Sequence, residues 1–364
     1  MSLVNFNISN FRNIEALSFD PSPEINVIVG ENGSGKSSLL EAIYFLSHGK
    51  SFRTSKFKAV IQHQKNAMVL HGKKQFNSLQ IPVGLQKERS GDTLAKVHGK
   101  RCERMAQLAE VFPVQVITPE SFELFFGGPK ERRRFLDLGL FHVEQEFYYH
   151  WYRFNKLLKQ RNALLKQKPQ GFEQQIQFWD KEFVTIATKI NALRTSYITR
   201  LSSLFFDKIA SQIELFKSLT FDFSPGWRAE EDLAEQLRNN FERDAKLGHT
   251  SKGPHKADIN FLIDGIAVEN YLSRGQLKLL MYALKICQNS LIESETDKQS
   301  LFLIDDLPSE LSSETKQAVS ELLSHSNSQL FISAIDYDSI SAVVEPLNKN
   351  MKVFHVKHGK LITS

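Results

Sequence analysis

This chain is poor in cysteine and in long apolar segments, and its charges nearly cancel. Two cysteines in 364 residues cannot form a disulfide framework, and they fit a reducing compartment. No apolar run approaches the roughly 18–20 residues that a membrane-spanning helix needs. Residues 1–5 lack the charged and then apolar pattern of a signal peptide. These absences argue against a secreted or membrane-embedded protein and predict a soluble, cytoplasmic chain.

The overall charge and size set only broad bounds. Lysine and arginine number 46 against 41 aspartates and glutamates, and the resulting net charge of +5 is too small by itself to indicate nucleic-acid binding. With 41% hydrophobic residues, the chain can bury a large core and is expected to divide into two or three lobes.

A glycine-rich loop between a predicted strand and a predicted helix is the strongest local motif. The loop follows the apolar segment Ile25–Val29 and matches G-x-x-x-x-G-K-[ST]. Its glycines let backbone N–H groups turn inward on phosphates, and the helix start adds partial positive charge. Lys36 would place a cation between the β- and γ-phosphates, and Ser37 would offer its hydroxyl to Mg²⁺. The predicted nucleotide-binding residues are Gly30, Glu31, Asn32, Gly33, Ser34, Gly35, Lys36, Ser37 and Ser38.

Two aspartates follow a second apolar segment, Leu301–Ile304. This segment predicts a fully buried strand, and an acidic pair at its end is costly unless a cation meets it. Asp305 is predicted to bind Mg²⁺, and Asp306 to orient or deprotonate the attacking water. Asp306 and Lys36 are therefore the candidate catalytic residues. The alternative is an exposed acidic turn after a core strand.

A third motif, Leu272-Ser273-Arg274-Gly275-Gln276, precedes an apolar helical segment. Ser273 is predicted to cap that helix, so that the backbone donors of the helix start point outward. A free hydroxyl beside a glycine that permits close approach suits a γ-phosphate. The predicted signature residues are Ser273, Arg274, Gly275 and Gln276. An ordinary capped helix is the alternative.

Together, the loop, the signature and residues 303–311 resemble the ABC-type ATPases of DNA repair, and the similarity is greatest to the bacterial RecF family. Further stretches that resemble RecF proteins span nearly the whole chain: residues 10–13, 40–44, 51–53, 132–137 and 253–258. The resemblance implies an α/β fold, an ABC-type ATPase head of the P-loop NTPase class with a mixed sheet and an inserted helical lobe. It also implies that the signature of one protomer caps the nucleotide in the loop of another, so that ATP and Mg²⁺ drive a homodimer.

The same resemblance implies a function in recombinational DNA repair. The ATP-bound dimer would bind DNA at gaps and single-strand/double-strand junctions. With RecO and RecR it would promote the loading of RecA, in support of replication restart and the SOS response. Its ATP hydrolysis would be slow and stimulated by DNA.

Three departures from the wider ABC pattern predict slow turnover, which suits a switch better than a motor. Arg274 stands where that pattern has Gly, Asp306 where it usually has Glu, and Ser333-Ala334 where a γ-phosphate-sensing His is expected. Gln115 is a weak candidate for the glutamine that lines such sites. Arg53 could reach the phosphates or form a surface ion pair.

Basic residues are concentrated in one part of the chain. Residues 130–168 hold ten basic and four acidic side chains, so the net excess of the chain is local to this segment. A local basic excess is what contact with a DNA backbone requires. The predicted DNA residues are Arg132, Arg133, Lys156, Lys159 and Arg161. A solvated helix face is the alternative, and arginines among residues 132–134 could instead pair with acids inside the lobe.

Nearby aromatic residues are predicted to belong to the core rather than to a base-stacking surface: Phe147, Tyr148, Tyr149, Trp151 and Tyr152. The resemblance to the RecF family implies that His255 and Lys256 are important but indicates no role for them. The alternative is that they form a structural turn.

Three segments describe the predicted organisation. Residues 1–119 and 251–364 form an ATPase lobe, and residues 120–250 form a helical lobe with a two-helix antiparallel hairpin that turns at residues 168–171. The long separation of Lys36 from Ser273 disfavours a rival function, the nucleotide-binding subunit of a membrane transporter. A second rival is an adaptor that binds ATP without hydrolysing it.

Overall fold

The computed structural model describes residues 2–296, 298–307, 312–324 and 326–362. The chain forms two compact units. The first unit comprises Met1–Ser121 and Lys278–Ser364, and the second comprises Phe122–Leu277.

The described strands follow in chain order: β1 (Ser2–Phe11), β2 (Ile14–Phe19), β3 (Ile25–Val29), β4 (Ala67–Phe76), β5 (Leu79–Glu88), β6 (Thr93–Val97), β7 (Lys100–Arg101), β8 (Val114–Ile117), β9 (Leu219–Ser224), β10 (Asp258–Ile263), β11 (Ile266–Ala267), β12 (Leu301–Ile304), β13 (Gln329–Ala334), β14 (Met351–Lys357) and β15 (Lys360–Ile362).

The described α-helices are α1 (Lys36–His48), α2 (Ala106–Val111), α3 (Glu123–Phe126), α4 (Pro129–Val143), α5 (Phe147–Gln167), α6 (Phe172–Phe205), α7 (Leu233–Asn239), α8 (Phe241–Leu247), α9 (Val268–Tyr271), α10 (Arg274–Thr296), α11 (Ser313–Ser324) and α12 (Asp338–Val344). Among the described residues, no helix is long and apolar enough to cross a membrane.

The first unit contains an antiparallel sheet with strand order β2-β1-β4-β5-β6-β7. Apolar residues of β1 such as Phe6 and Ile8 are buried, whereas polar residues between them are half-buried. This alternation is the pattern of a sheet that packs one face on a core. β1 and β2 pair antiparallel at the edge of this sheet.

The second sheet of this unit has strand order β15-β14-β3-β13-β12-β8 and is parallel except for the β14–β15 hairpin. It is therefore the predicted mixed sheet. β3 and β12 are buried at every position, as their continuous apolar sequences predict. Because the carboxyl ends of parallel strands meet at one edge, the loop after β3 and the aspartates after β12 come to the same edge. Helix α1 contacts strands of both sheets.

The second unit contains the predicted helical hairpin and a small sheet that the sequence analysis missed. Helices α5 and α6 pack side by side, with the connection at residues 168–171 as predicted. Strands β9, β10 and β11 form an antiparallel sheet.

The compact units divide at Leu277, whereas the predicted boundary lies at residue 250. Every residue of β10 pairs with β9, and the Arg132 guanidinium of α4 holds the carboxylate of Asp258. These contacts keep residues 251–277 with the helices, so the second unit continues to Leu277. The signature consequently lies in the second unit and not in a C-terminal ATPase segment.

Candidate nucleotide-binding site

The glycine-rich loop connects β3 to α1 and is held from behind by two other segments. Asn13 Nδ2 donates to the carbonyl of Ser34 at 3.3 Å, and the backbone N–H of Gly359 donates to the same carbonyl at 2.7 Å. Gly30 lies at φ 156°, where a Cβ atom would come within 2.3 Å of the Val356 carbonyl. Only glycine fits this close approach.

Lys36 is the first residue of α1, and its side chain turns back over the loop. Its Nζ donates to the carbonyls of Gly30 at 2.5 Å and Glu31 at 3.0 Å. Burial lowers the pKa of Lys36, while the nearby charges of Asp305 and Asp306 oppose that shift. The amides of the first helical turn have no acceptor within the helix and remain available to an anion.

Asp305 lies at the end of β12 and is buried. Its carboxylate accepts hydrogen bonds from the hydroxyl of Ser333, at 2.9 Å, and from Ser37. Burial raises the pKa of Asp305, and these two bonds oppose the shift. A buried carboxylate whose charged form lacks sufficient compensation is a favourable position for a cation.

Asp306 differs from Asp305 in both exposure and backbone conformation. It is exposed and lies at φ 56°, in the left-handed region that non-glycine residues seldom adopt. Its backbone N–H donates to Ser333 Oγ at 2.8 Å.

One open pocket of about 680 Å³ contains the loop, the helix start, Asp306 and Ser333. It is strongly cationic: Lys36, Arg12, Arg53, Lys58 and Arg89 all line it. The fit to a phosphorylated ligand is good, because cations and helix-start amides converge on one cavity. Ser34 Oγ, a buried loop oxygen, has no hydrogen-bond partner among the described residues.

Magnesium would have few protein ligands in this pocket. Within the described ranges, no cluster of three or more His, Cys, Asp or Glu side chains could hold a metal ion. Ser37 and Asp305, which are hydrogen-bonded to each other, are the predicted ligands that the structure brings together. This donor set suits Mg²⁺, which takes few protein oxygens and completes its shell with water and phosphate.

The signature forms a reciprocal cap at the start of α10. The side-chain oxygen of Gln276 accepts the N–H of Ser273 at 2.9 Å, and Ser273 Oγ accepts the N–H of Gln276 at 3.3 Å. This is a capping box, and the predicted capping role of Ser273 is confirmed. Ser273 and Arg274 are exposed.

Several residues assigned to the DNA surface are engaged inside the second unit instead. Arg161 is 1% exposed and forms ion pairs with Asp180 at 2.8 Å and Asp244 at 3.1 Å. Arg132 forms a two-pronged pair with Asp258. These internal carboxylates occupy the guanidiniums of Arg161 and Arg132, which favours the alternative of pairing inside the lobe, and the DNA contacts of both residues stay predictions. Arg133 donates to the carbonyl of Ala257 at 2.6 Å, and its DNA contact stays a prediction.

The aromatic residues beside this segment divide between core and surface. Phe147 is buried as predicted, whereas Tyr149, Trp151 and Tyr152 are exposed, so their assignment to the core is wrong. The helical spacing of these residues could have indicated their exposure. Tyr149 and Tyr152 share a face of α5 with the exposed residues Lys156 and Lys159, at steps of three, four and three residues.

Residues 253–258 are a structural anchor in this unit. Arg194 donates to the Pro254 carbonyl at 2.8 Å and pairs with Asp137, and His255 Nε2 lies 2.9 Å from the Thr250 carbonyl. The stretches at 132–137 and 253–258 thus meet through hydrogen bonds. This result favours the structural alternative for His255. Gln115 is buried within β8 and is absent from the described lining of the pocket.

Comparisons with known proteins agree with this geometry. A family model described as RecF/RecN/SMC N terminal domain matches residues 2–361. The chain is 60% identical over 363 residues to DNA replication and repair protein RecF of Pseudoalteromonas translucida (strain TAC 125), and all of both chains is covered. The chain belongs to the RecF family. Its identity to the RecF protein of Escherichia coli O1:K1 / APEC is 44% over 361 residues, with 99% of each covered.

Solved structures support the fold. A structure of the recombination mediator protein RecF-ATPrS in the RecFOR pathway superposes with a TM-score of 0.87 at 24% identity, covering 99% of this chain and 97% of that one. An SmcHead bound to the C-winged helix domain of ScpA gives 0.58 at 13% identity, covering 100% and 97%. The predicted ABC-type ATPase head fold is confirmed, and RecF membership sets the transporter alternative aside. Residues 308–311, which are part of one resembling stretch, lie outside the described residues.

Proposed function

We propose that this chain is an ATP-dependent DNA-binding protein of recombinational repair. In this proposal ATP closes two copies into a dimer on gapped DNA or at single-strand/double-strand junctions, and the dimer acts with RecO and RecR to promote RecA loading. The curated relatives are described as DNA replication and repair proteins, and a solved relative is described with an ATP analogue in the RecFOR pathway. A cytoplasmic location belongs to the same proposal.

One observation carries the proposal. The phosphate-type loop, the cation Lys36, the exposed carboxylate of Asp306 and the hydroxyl of Ser333 line a single pocket. Backbone amides and Lys36 would hold the β- and γ-phosphates. When bound, Mg²⁺ would neutralise charge on the transferred phosphate. Ser37 and Asp305 would hold that ion.

Hydrolysis would depend on Asp306. Its carboxylate is exposed within the pocket and can orient a water or take its proton. Asp is shorter than Glu by one methylene, and no histidine stands at Ser333. A weak ATPase that times a switch is the activity that this set of residues supports.

Dimerisation would use the signature of the partner copy. Ser273 and Arg274 are exposed at the start of α10, where the helix dipole favours a negative group. ATP in the loop of one protomer would contact this helix start of the other. By linkage, if ATP favours the dimer and the dimer favours DNA, then DNA must favour the ATP-bound dimer.

The proposed DNA surface is the exposed face of α5 formed by Tyr149, Tyr152, Lys156, Lys159 and Lys166, hereafter the α5 stripe. At about 1.5 Å per residue it extends roughly 25 Å. Lysines supply sequence-independent phosphate contacts, and tyrosine rings can stack on unpaired bases. This combination suits a site where single-stranded DNA is present.

The deciding experiment measures molecular mass in solution with ATP, with ADP, and with ATP plus gapped DNA. A dimer that forms with ATP and strengthens on DNA is expected. Lys36→Ala should lose ATP binding and dimerisation together, whereas Lys65→Ala, which removes a cation that is not among the described pocket-lining residues, should retain both. A chain that stays monomeric under every condition would refute the proposal. Phosphate release with and without DNA separates an ATPase from a non-hydrolysing adaptor.

A further inference from the structure

A fully buried carboxylate lies next to the nucleotide pocket without facing it. Glu41, on α1 five residues beyond Lys36, is 0% exposed. Arg12 donates to both of its oxygens, through Nε at 2.9 Å and Nη2 at 2.7 Å. A buried acid in a helix interior needs such compensation, and Arg12 supplies it.

Glu41 also fixes the loop that follows α1. The hydroxyl of Ser51 donates to Glu41 Oε1. Ser51 Oγ in turn accepts the backbone N–H groups of Arg53 and Thr54, each at 2.9 Å. The Ser51 hydroxyl therefore links helix α1, through Glu41, to the backbone of the turn that contains Arg53.

The two arginines near Glu41 are held very differently. Arg12 is committed, because it also donates to the Ala59 carbonyl at 3.0 Å. Arg53 is 44% exposed, and its Nη1 lies 3.6 Å from Glu41 Oε2, beyond hydrogen-bond distance. Within the described part of the chain, the Arg53 guanidinium donates no hydrogen bond.

The charges around Glu41 leave a net positive charge at the pocket. One carboxylate faces two guanidiniums, so Glu41 neutralises Arg12 and leaves a cationic excess at Arg53. Arg53 lines the same pocket as Lys36 and Asp306.

We propose that Glu41 and Ser51 are positioning residues that hold Arg53 ready for the terminal phosphate of ATP. Arg12 stays on Glu41, while Arg53 exchanges its loose ion pair for the phosphate. The inference rests on the proposed ATP site. It predicts that the Glu41–Ser51 contact sets the preference for ATP over ADP.

The test compares the affinities of a non-hydrolysable ATP analogue and of ADP by calorimetry. Ser51→Ala removes one hydrogen bond to a charged group. It should weaken binding of the analogue by roughly 10-fold, with a clearly smaller effect on ADP. Ser51→Thr keeps the hydroxyl and should restore the preference. Ser55→Ala, an exposed position on the same loop, is the matched control.

A double-mutant cycle distinguishes positioning from general stabilisation. If Ser51 acts through Arg53, the double variant Ser51→Ala/Arg53→Ala should bind the analogue no more weakly than Arg53→Ala alone. Glu41→Gln, which keeps the side-chain shape, should also lose the preference for the analogue.

Equal losses for both nucleotides in Ser51→Ala, or additive losses in the double variant, would overturn this inference and leave the ATP site intact. Failure of the unmodified chain to bind the ATP analogue would instead overturn the proposed function.

Discussion

Ser333 donates its hydroxyl to Asp305 Oδ1 across 2.9 Å, at the point where strands β12 and β13 end side by side. Ser333 Oγ also accepts the backbone N–H of Asp306. Ser333 thus fixes the carboxylate proposed to hold Mg²⁺ and the backbone of the residue proposed to act on water. It stands where the wider ABC pattern led the sequence analysis to expect a histidine.

We expect Ser333→Ala to slow ATP hydrolysis while leaving ATP binding nearly unchanged. The loss removes a bond to a buried carboxylate and frees Asp306 from its constrained conformation, so a fall of roughly 10-fold or more in turnover is expected. Phosphate release at saturating ATP is the measurement. Ser339→Ala, half-buried near the start of α12 and not among the pocket-lining residues that the structure describes, is a suitable control. Wild-type turnover in Ser333→Ala would show that this hydroxyl does not organise the catalytic pair.

The signature variant Ser273→Arg should bind ATP as a monomer but fail to form the ATP-dependent dimer. A long cation at the helix start would occupy the space that the partner's nucleotide needs and would break the capping box with Gln276. Size-exclusion chromatography with and without ATP is the readout. A variant that still elutes as a dimer with ATP would exclude this helix start from the interface.

The parts of the site that could be predicted from sequence share a short-range cause. The phosphate-type loop and the cap at Ser273 are contiguous motifs whose geometry follows from local backbone chemistry. The buried strand before Asp305 was evident from its uninterrupted apolar residues. Local patterns therefore predicted β3, α1 and the α5–α6 hairpin, whereas the mixed sheet was implied by the resemblance to the RecF family.

What sequence reasoning missed depends on contacts between distant residues. Arg161 and Lys159 look alike in a charge count, yet only the fold places Asp180 and Asp244 beside Arg161. The role of Ser333 requires β13 to lie beside β12, and the boundary at Leu277 requires β10 to pair with β9. A serine in an apolar strand and helical spacing of the exposed tyrosines were the available, weaker signals.

On the α5 stripe, Lys156→Glu combined with Lys159→Glu should weaken DNA binding at least about 10-fold near physiological salt and flatten its salt dependence. Reversing two phosphate-contacting charges removes released counterions from the binding equilibrium. Fluorescence anisotropy with gapped DNA at several salt concentrations measures both effects. Lys189→Glu, exposed on α6, controls for overall charge. Unchanged affinity and slope would move the DNA surface elsewhere.

Arg161 should behave as a stability residue rather than a DNA contact. Arg161→Ala leaves Asp244 buried and unpaired, and loss of a buried ion-pair partner costs about 3–5 kcal/mol of unfolding free energy. Urea denaturation measures this loss, while Lys159→Ala should leave the denaturation midpoint near the wild-type value. If Arg161→Ala unfolds like the wild type but binds DNA poorly, the structural assignment of Arg161 is wrong.

His255 should make the stability of the chain depend on pH below neutrality. Burial lowers its pKa to about 4, with Lys256 and Arg133 adding to the shift, while the Thr250 carbonyl and Asp244 oppose it. The unfolded chain therefore binds this proton near pH 6.5 and the folded chain only near pH 4, so stability is full above pH 6.5 and falls as the pH drops through that window. Linkage gives a loss of about 2 kcal/mol between pH 7.5 and pH 5. Urea denaturation at both pH values should show that His255→Gln lacks this component, and an identical pH dependence in the two proteins would contradict it.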